Sequence, residues 1–192
     1  MPSFARIRRL LRVACVGCVL ACLLLPAWAA DRLISVSTRS EVTTSYWWMP
    51  RDGATATVIL FSGGGGGIGY RDGEPKSGNF LIRSRNEFAK AGFNVALMGN
   101  PSDMPKLTPA FRQSPEHFSD VRAVVQDIRS RSPAPIWLVG TSQGTISAAA
   151  SGIDLGSAIQ GVVLTATLSG QQFGGSVSDL ALNQLAVPVL VH

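Results

Sequence analysis

A five-residue turn at residues 140–144, Gly-Thr-Ser-Gln-Gly, constrains the fold of this chain more than any other feature. The apolar residues 136–139 precede the turn and are typical of a buried strand, and the small residues 143–150 predict a helix after it. A strand that passes into a helix through so short a turn needs small residues at both glycine positions. The side chain of Ser142 is then expected above the edge of a sheet.

The alternation of strand and helix patterns continues through the rest of the chain. Apolar or β-branched runs predict strands at residues 33–37, 43–49, 56–61, 93–98, 136–139, 161–168 and 187–191, and helical periodicity predicts helices at 79–91, 115–130 and 143–150. Ser114 and Pro115 provide a capped start for the helix at 115–130, and Gly92 ends the helix at 79–91. This order predicts an α/β fold with a mainly parallel sheet and helices on both faces.

The first 29 residues have the pattern of an export signal. Four arginines lie within residues 6–12, an apolar run covers residues 13–25, and Pro26 follows it. Ala-Trp-Ala at 27–29 is the small–x–small pattern that a signal peptidase reads, so we predict cleavage after Ala29. The expected product is periplasmic or secreted.

The N-terminus has two alternative interpretations. An uncleaved membrane anchor would require a longer apolar run than the one present, so no stable membrane span is expected. Lipidation at Cys22 is the second alternative, because residues 19–22 loosely match a lipoprotein cleavage box. The remaining residues 30–192 contain no repeat and no block of charge, and we interpret them as one domain.

Charge and composition exclude several classes of function. The chain has 17 basic and 12 acidic residues, but removing the four arginines of the export signal leaves 13 and 12, so no nucleic-acid partner is expected. All three cysteines lie within the first 22 residues, which excludes a disulfide, a thiol nucleophile and a cysteine-rich zinc site from residues 30–192. His117 and His192 are the only histidines, and we predict neither a metal nor a cofactor.

Two glycine-rich turns are the candidate site. Ser142 is predicted as a nucleophile, because the turn exposes its hydroxyl and the following helix N-terminus favours a developing oxyanion. The second turn, residues 62–69, contains six glycines directly after the strand at 56–61. Its backbone N–H groups can hold an oxyanion together with the N–H of Gln143, and Gly63 and Gly64 are both candidates for the loop donor.

The glycine run has other interpretations. Gly64, Gly66 and Gly69 match a dinucleotide fingerprint, but that fingerprint opens a helix, whereas residues 70–75 are polar and typical of a turn. A phosphate-binding P-loop would need Lys and Ser or Thr after the last glycine, and Tyr70 follows instead. The interpretation of the run as a flexible linker is not favoured, because a predicted buried strand directly precedes it.

The chain resembles the α/β-hydrolase superfamily, and within it small exported bacterial serine hydrolases. The resemblance rests on residues 59–67, 78–85, 111–117 and 139–145, and it covers most of residues 31–192. The turn at 140–144 is specific at the level of the superfamily only, and the other stretches resemble sequence motifs of a narrower family within it. The resemblance implies Ser142 as nucleophile, an oxyanion donor after the third strand, a small ester-like substrate, and a triad acid and histidine later in the chain.

The later part of that pattern is where the chain departs from the superfamily. The triad order implied by the resemblance is Ser, then Asp or Glu, then His, so the acid and the histidine are expected beyond His192, with the last strand and helix of the fold. The 192-residue chain is therefore expected to be inactive. His192 is interpreted as a strand-end residue, His117 as a solvated or packing residue of a first helical turn, and Asp154 and Asp179 as too early for the acid. A non-catalytic secreted protein that keeps the fold stays open as the alternative.

Overall fold

The computed structural model describes residues 30–170 and 174–192, so the predicted export signal at 1–29 lies outside the described residues. Seven strands form one sheet in the order β1-β2-β6-β3-β7-β8-β9, and two short strands, β4 and β5, form a separate hairpin. The strands are β1 Arg32–Arg39, β2 Val42–Met49, β3 Ala56–Phe61, β4 Tyr70–Arg71, β5 Glu74–Pro75, β6 Phe93–Pro101, β7 Ile136–Thr141, β8 Gly161–Thr165 and β9 Val189–Val191.

The large sheet is mainly parallel, as the sequence predicts. Strands β6, β3, β7, β8 and β9 pair in parallel, whereas β1 and β2 join them through antiparallel pairs. All six residues of β3 are buried, because an apolar strand at the centre of a parallel sheet is covered on both faces. The carboxyl ends of β3 and β7 are neighbours, and the two glycine-rich turns follow these ends.

Helices cover both faces of the sheet. They are α1 Phe80–Arg83, α2 Arg85–Lys90, α3 Pro115–Arg131 and α4 Gly144–Leu155. Helices α3 and α4 enclose one apolar core with Ile59, Phe61 and Leu138, and α1 and α2 enclose another with Val58 and Leu60. Alternate residues of β3 therefore belong to different cores, as the two-residue period of a strand requires.

One predicted helix is wrong in detail. Residues 79–91 form two short helices rather than one, because Ser84 adopts φ −87° and ψ 0° and ends α1. Residues 83–86 are polar and none of them is buried, so this part of the segment lacks the packed apolar face on which helices in proteins depend. Gly92 ends α2 with φ +85°, as predicted.

Several element ends differ from the sequence prediction. Strand β8 ends at Thr165 instead of residue 168, because Ala166 turns the chain with φ +45°. Strand β9 begins after Pro188, which has no N–H to donate to a ladder. The polar turn predicted at 70–75 is the tip of the β4–β5 hairpin, where Asp72 and Gly73 both have positive φ. Within residues 30–170 and 174–192, no helix is long and apolar enough to cross a membrane.

Candidate functional site

The turn between β7 and α4 holds Ser142 in a strained backbone conformation. Ser142 has φ +52°, a left-handed value that costs free energy for any residue with a side chain. Its N–H donates to the oxygen of Thr165 on the neighbouring strand over 3.2 Å, and its own oxygen accepts from the N–H of Thr145 over 3.0 Å. These two bonds hold the half-buried serine at the tip of the turn.

The two glycines of this turn allow close backbone contacts. A Cβ on Gly140 would lie 2.5 Å from the oxygen of Gly144, and a Cβ on Gly144 would lie 2.1 Å from the oxygen of Phe61. Neither contact is possible for a real side chain, and in both cases the obstacle is backbone. The helix can therefore start directly over the end of β3 only because glycine is present at both positions.

The glycine loop after β3 lies against this turn. The position that a Cβ of Gly63 would take is 3.0 Å from the Cβ of Ser142 and 3.1 Å from the oxygen of Thr141. Gly64 has φ +58°, and no heavy atom lies within 4 Å of its Cβ position. Of the two glycines that the sequence left as alternatives, Gly63 is thus the one that contacts the serine.

Three backbone N–H groups in the two glycine-rich turns are unpaired. In the part of the chain that the structure describes, no hydrogen bond involves the N–H of Gly63, Gly64 or Gln143. Unpaired N–H groups beside a serine hydroxyl are the arrangement that an oxyanion requires. The loop itself is held from outside, because Asn100 Nδ2 and the N–H of Leu107 both donate to the oxygen of Gly65.

The glycine loop does not open a helix. After Gly69 the chain continues into the β4–β5 hairpin, and α1 begins only at Phe80. A dinucleotide fingerprint places its pyrophosphate on a helix that starts within the glycine motif itself. The structural context of nucleotide binding is therefore not met by this loop.

Arg112 lies behind the glycine loop and was missed by the sequence analysis as a single residue. Its side chain is 1% exposed. One terminal nitrogen donates to Ser147 Oγ over 2.7 Å, and the other donates to the oxygen of Gly64 over 2.8 Å and reaches that of Ser62 at 3.5 Å. The guanidinium thus joins the glycine loop to helix α4, and no ion pair balances it among the described residues.

His117 belongs to the same buried cluster. Its Nε2 lies 3.0 Å from Ser147 Oγ, and its ring packs between the rings of Phe61 and Phe111. Ser147 Oγ already accepts a hydrogen bond from Arg112, so its own proton is available for Nε2. Of the two sequence interpretations of His117, packing is correct and solvation is wrong, since the residue is 1% exposed.

The environment of His117 keeps its imidazole neutral. Burial, followed by the positive charges of Arg112 and Arg39, lowers the pKa of His117 to about 3. Burial also lowers the pKa of Arg112 to about 10, which leaves the guanidinium charged at neutral pH. Because Ser147 occupies Nε2 and charging is opposed, His117 is poorly suited to take a proton from Ser142.

The other acidic and imidazole candidates are bound elsewhere. Asp154 pairs with Arg122 between α4 and α3. Asp179 accepts from the N–H of Ser176 in a capping box. His192 extends the ladder at the end of β9, where its N–H donates to the oxygen of Leu164, and its side chain is exposed. Across the described ranges, no three His, Cys, Asp or Glu side chains cluster as metal ligands.

Comparison with known proteins identifies the fold. No family model matches the chain, and no curated protein matches it in sequence. A cold-adapted esterase from an Arctic intertidal metagenomic library superposes with a TM-score of 0.61 at 18% identity, over 84% of this chain and 70% of the esterase. An α/β serine hydrolase homologue from Coxiella burnetii gives 0.57 at 16% identity, over 87% and 74%.

A lidless α/β serine hydrolase from Xanthomonas campestris also shares the architecture, with a TM-score of 0.52 at 14% identity over 88% of this chain and 86% of that one. Likeness at this level of identity establishes a common fold and does not transfer an activity. The chain has the α/β-hydrolase fold.

Proposed function

We propose that this protein is a serine hydrolase that cleaves small carboxylic esters, with Ser142 as its nucleophile. The observation that carries the proposal is the meeting of Ser142, strained at φ +52°, with the unpaired N–H groups of Gly63 and Gln143. A strained serine at a strand-to-helix turn and two free amides from separate segments are the two halves of an acyl-transfer site.

The reaction follows from this geometry. Ser142 Oγ attacks the ester carbonyl carbon, its proton passes to a base, and the carbonyl electron pair moves onto the oxygen. The N–H groups of Gln143 and Gly63 hold that oxyanion, and the N-terminus of α4 adds positive potential. Collapse of the intermediate releases the alcohol, and water then hydrolyses the acyl-enzyme.

Gly63 is the preferred loop donor over Gly64. The Cβ position of Gly63 lies 3.0 Å from the Cβ of Ser142, whereas that of Gly64 has no heavy atom within 4 Å. Arg112 binds the oxygen of Gly64, in the peptide that follows Gly64, and lies 3.5 Å from the oxygen of Ser62, whose peptide carries the N–H of Gly63. The esterase and serine hydrolases that share the fold support acyl hydrolysis as the chemistry, since their site must lie on the same scaffold.

The test is covalent labelling of the full-length gene product. An active-site fluorophosphonate is expected to modify Ser142, and Ser142→Ala is expected to lose both labelling and hydrolysis of short-chain nitrophenyl esters. Ser130→Ala is the matched control, because Ser130 is exposed on α3. A Ser142→Ala variant with wild-type turnover would overturn the proposal. Absence of any turnover in the wild type would favour a non-catalytic protein that keeps the fold.

We also propose that residues 1–29 direct export and are removed after Ala29. The support is the arginine-rich start, the apolar run of 13 residues and the small residues at positions 27 and 29. The enzyme would then meet its esters in the periplasm or outside the cell.

A further inference from the structure

Asn79 lies beside the candidate site, in the stretch at 78–85 whose role the sequence did not explain. It precedes α1, and its Oδ1 accepts a hydrogen bond from the N–H of Leu81 over 3.2 Å. This bond fixes which end of the amide faces the backbone, since only the oxygen can accept from an N–H. The Nδ2 end, with its two donors, therefore points the other way.

The Nδ2 end of Asn79 reaches the place where the two glycine-rich turns meet. It lies 3.4 Å from the position that a Cβ of Gly63 would take, and the Cβ of Ser142 lies 3.0 Å from that same position. Asn79 is half-buried, so its amide is restrained without being sealed off from a ligand. Nothing in the two described ranges accepts a hydrogen bond from Nδ2.

We propose that Asn79 Nδ2 donates a third hydrogen bond to the oxygen of the acyl group that Ser142 attacks. The proposal rests on the proposed function and deepens it: a side-chain donor joins the two backbone donors. The carbonyl oxygen gains negative charge as the Oγ–C bond forms, so a donor held in place beforehand stabilises the transition state more than the ester. Nothing covalent happens at Asn79.

A purely structural role for Asn79 makes a different prediction. If the residue serves only to cap α1, then its oxygen alone matters, and Asp is as good a cap as Asn. Asn79→Asp keeps an oxygen for the N–H of Leu81 but removes both donors at neutral pH. Asn79→Ala removes the cap and the donors together, so the pair of variants separates the two roles.

The experiment measures kcat and KM of the full-length gene product on short-chain nitrophenyl esters, with denaturant unfolding of each variant. If Nδ2 is a donor, kcat falls about 10²- to 10³-fold in Asn79→Ala, the range seen when one oxyanion donor is removed. Asn79→Asp is expected to lose at least as much while unfolding at the wild-type denaturant concentration. For Asn79→Ala, KM is expected to stay within about threefold of wild type, because the bond strengthens in the transition state.

A matched control tests the added charge alone. Asn86→Asp places the same charge on an exposed position of α2 and is expected to keep wild-type kcat. If Asn79→Asp has wild-type kcat while turnover still depends on Ser142, the donor role of Asn79 is wrong. The proposed function is not affected by that result. Loss of Ser142 dependence itself would overturn both.

Discussion

The guanidinium of Arg112 donates a 2.8 Å hydrogen bond to the backbone oxygen of Gly64. Through this bond the buried guanidinium supports the glycine loop. The residue before Gly64, Gly63, has its Cβ position 3.0 Å from the Cβ of Ser142. Burial of an arginine without a carboxylate partner is costly, and here three oxygens, those of Ser62, Gly64 and Ser147, replace part of the water it loses, while its Nε has no partner among the described residues. A residue held at such cost is expected to matter for the site's geometry.

Replacing Arg112 by Met is expected to lower both stability and turnover. Buried oxygens lose a charged donor, which costs about 1–3 kcal/mol of unfolding free energy. The Ser142-dependent kcat should fall as well, because the oxygens of Ser62 and Gly64, on either side of Gly63 in the loop, are no longer held. Arg112→Lys keeps the charge but not the forked geometry, and should lie between Met and wild type. Denaturant unfolding and ester kinetics check both effects, and a Met variant with wild-type kcat would show that the loop holds its own shape.

The burial of His117 predicts a pH dependence of stability. Its pKa is lowered to about 3 in the folded chain, whereas the ordinary value is 6.5. Between these values the unfolded chain binds a proton that the folded chain does not, so the unfolding free energy is full above about pH 6.5 and falls below it. The slope is up to about 1.4 kcal/mol per pH unit.

The variant His117→Gln isolates this contribution. It has no group that titrates here, so its unfolding free energy should change less than that of wild type between about pH 5 and pH 7. Chemical denaturation at fixed pH values measures the difference. Parallel profiles for the two proteins would mean that His117 does not resist protonation in the folded state.

The closeness of α4 to β3 predicts that Gly144→Ala is strongly destabilising. The new Cβ would lie 2.1 Å from the oxygen of Phe61, a contact that only movement of the backbone can relieve. A loss of about 3 kcal/mol or more is expected, at or above the usual range for overpacking. Gly78→Ala is the control, since its Cβ position has no neighbour within 4 Å and no positive φ, and it should unfold like wild type.

The strain at Ser142 predicts an unusual order of stability among its variants. Because φ is +52°, Ser142→Gly should be more stable than Ser142→Ala by about 1 kcal/mol. At Gln126, exposed within α3, the order should reverse, since glycine costs about 1 kcal/mol relative to alanine inside a helix. Denaturant midpoints of the four variants provide the test, and equal stabilities of the two Ser142 variants would argue against strain.

The proposed export signal predicts a mature N-terminus at Ala30. Ala29→Leu should block processing, because a signal peptidase requires a small residue there, whereas Cys22→Ser should leave it unchanged. N-terminal sequencing and intact mass of the exported protein distinguish these outcomes. Processing that depends on Cys22, with a lipid mass on the product, would instead support the lipoprotein alternative.

Local patterns predicted most of the fold because its main elements are locally specified. Strand β3 is a continuous apolar run, and α3 begins with a capping serine that accepts from the N–H of His117. The sequence pattern does not predict the break at Ser84, because the choice between one helix and two depends on how the segment packs in the folded chain. Propensity alone contains no such information.

In the candidate site, too, the residues with local sequence signals could be predicted and the others could not. Ser142 and the glycines follow from a turn whose requirements are local. Arg112 does not, because its partners lie 35 to 50 residues away and nothing in its neighbours marks it as buried. The sequence pattern predicts Asn79 as the first residue of a helix, and it contains no sign that the amide nitrogen lies 3.4 Å from the Cβ position of Gly63.

The buried cluster around Arg112 also affects the order in which the molecule is assembled. Its hydrogen bonds join a loop at residues 62–64, the turn before α3 and the middle of α4, so the complete set cannot form until the chain has been made through Ser147. The glycine loop is thus fully supported only once contacts between residues 35 to 50 positions apart have closed. If residues 1–29 direct export as proposed above, a chain that crosses a membrane before it folds carries Ser142 without this support, and the surroundings of the serine take shape only after translocation.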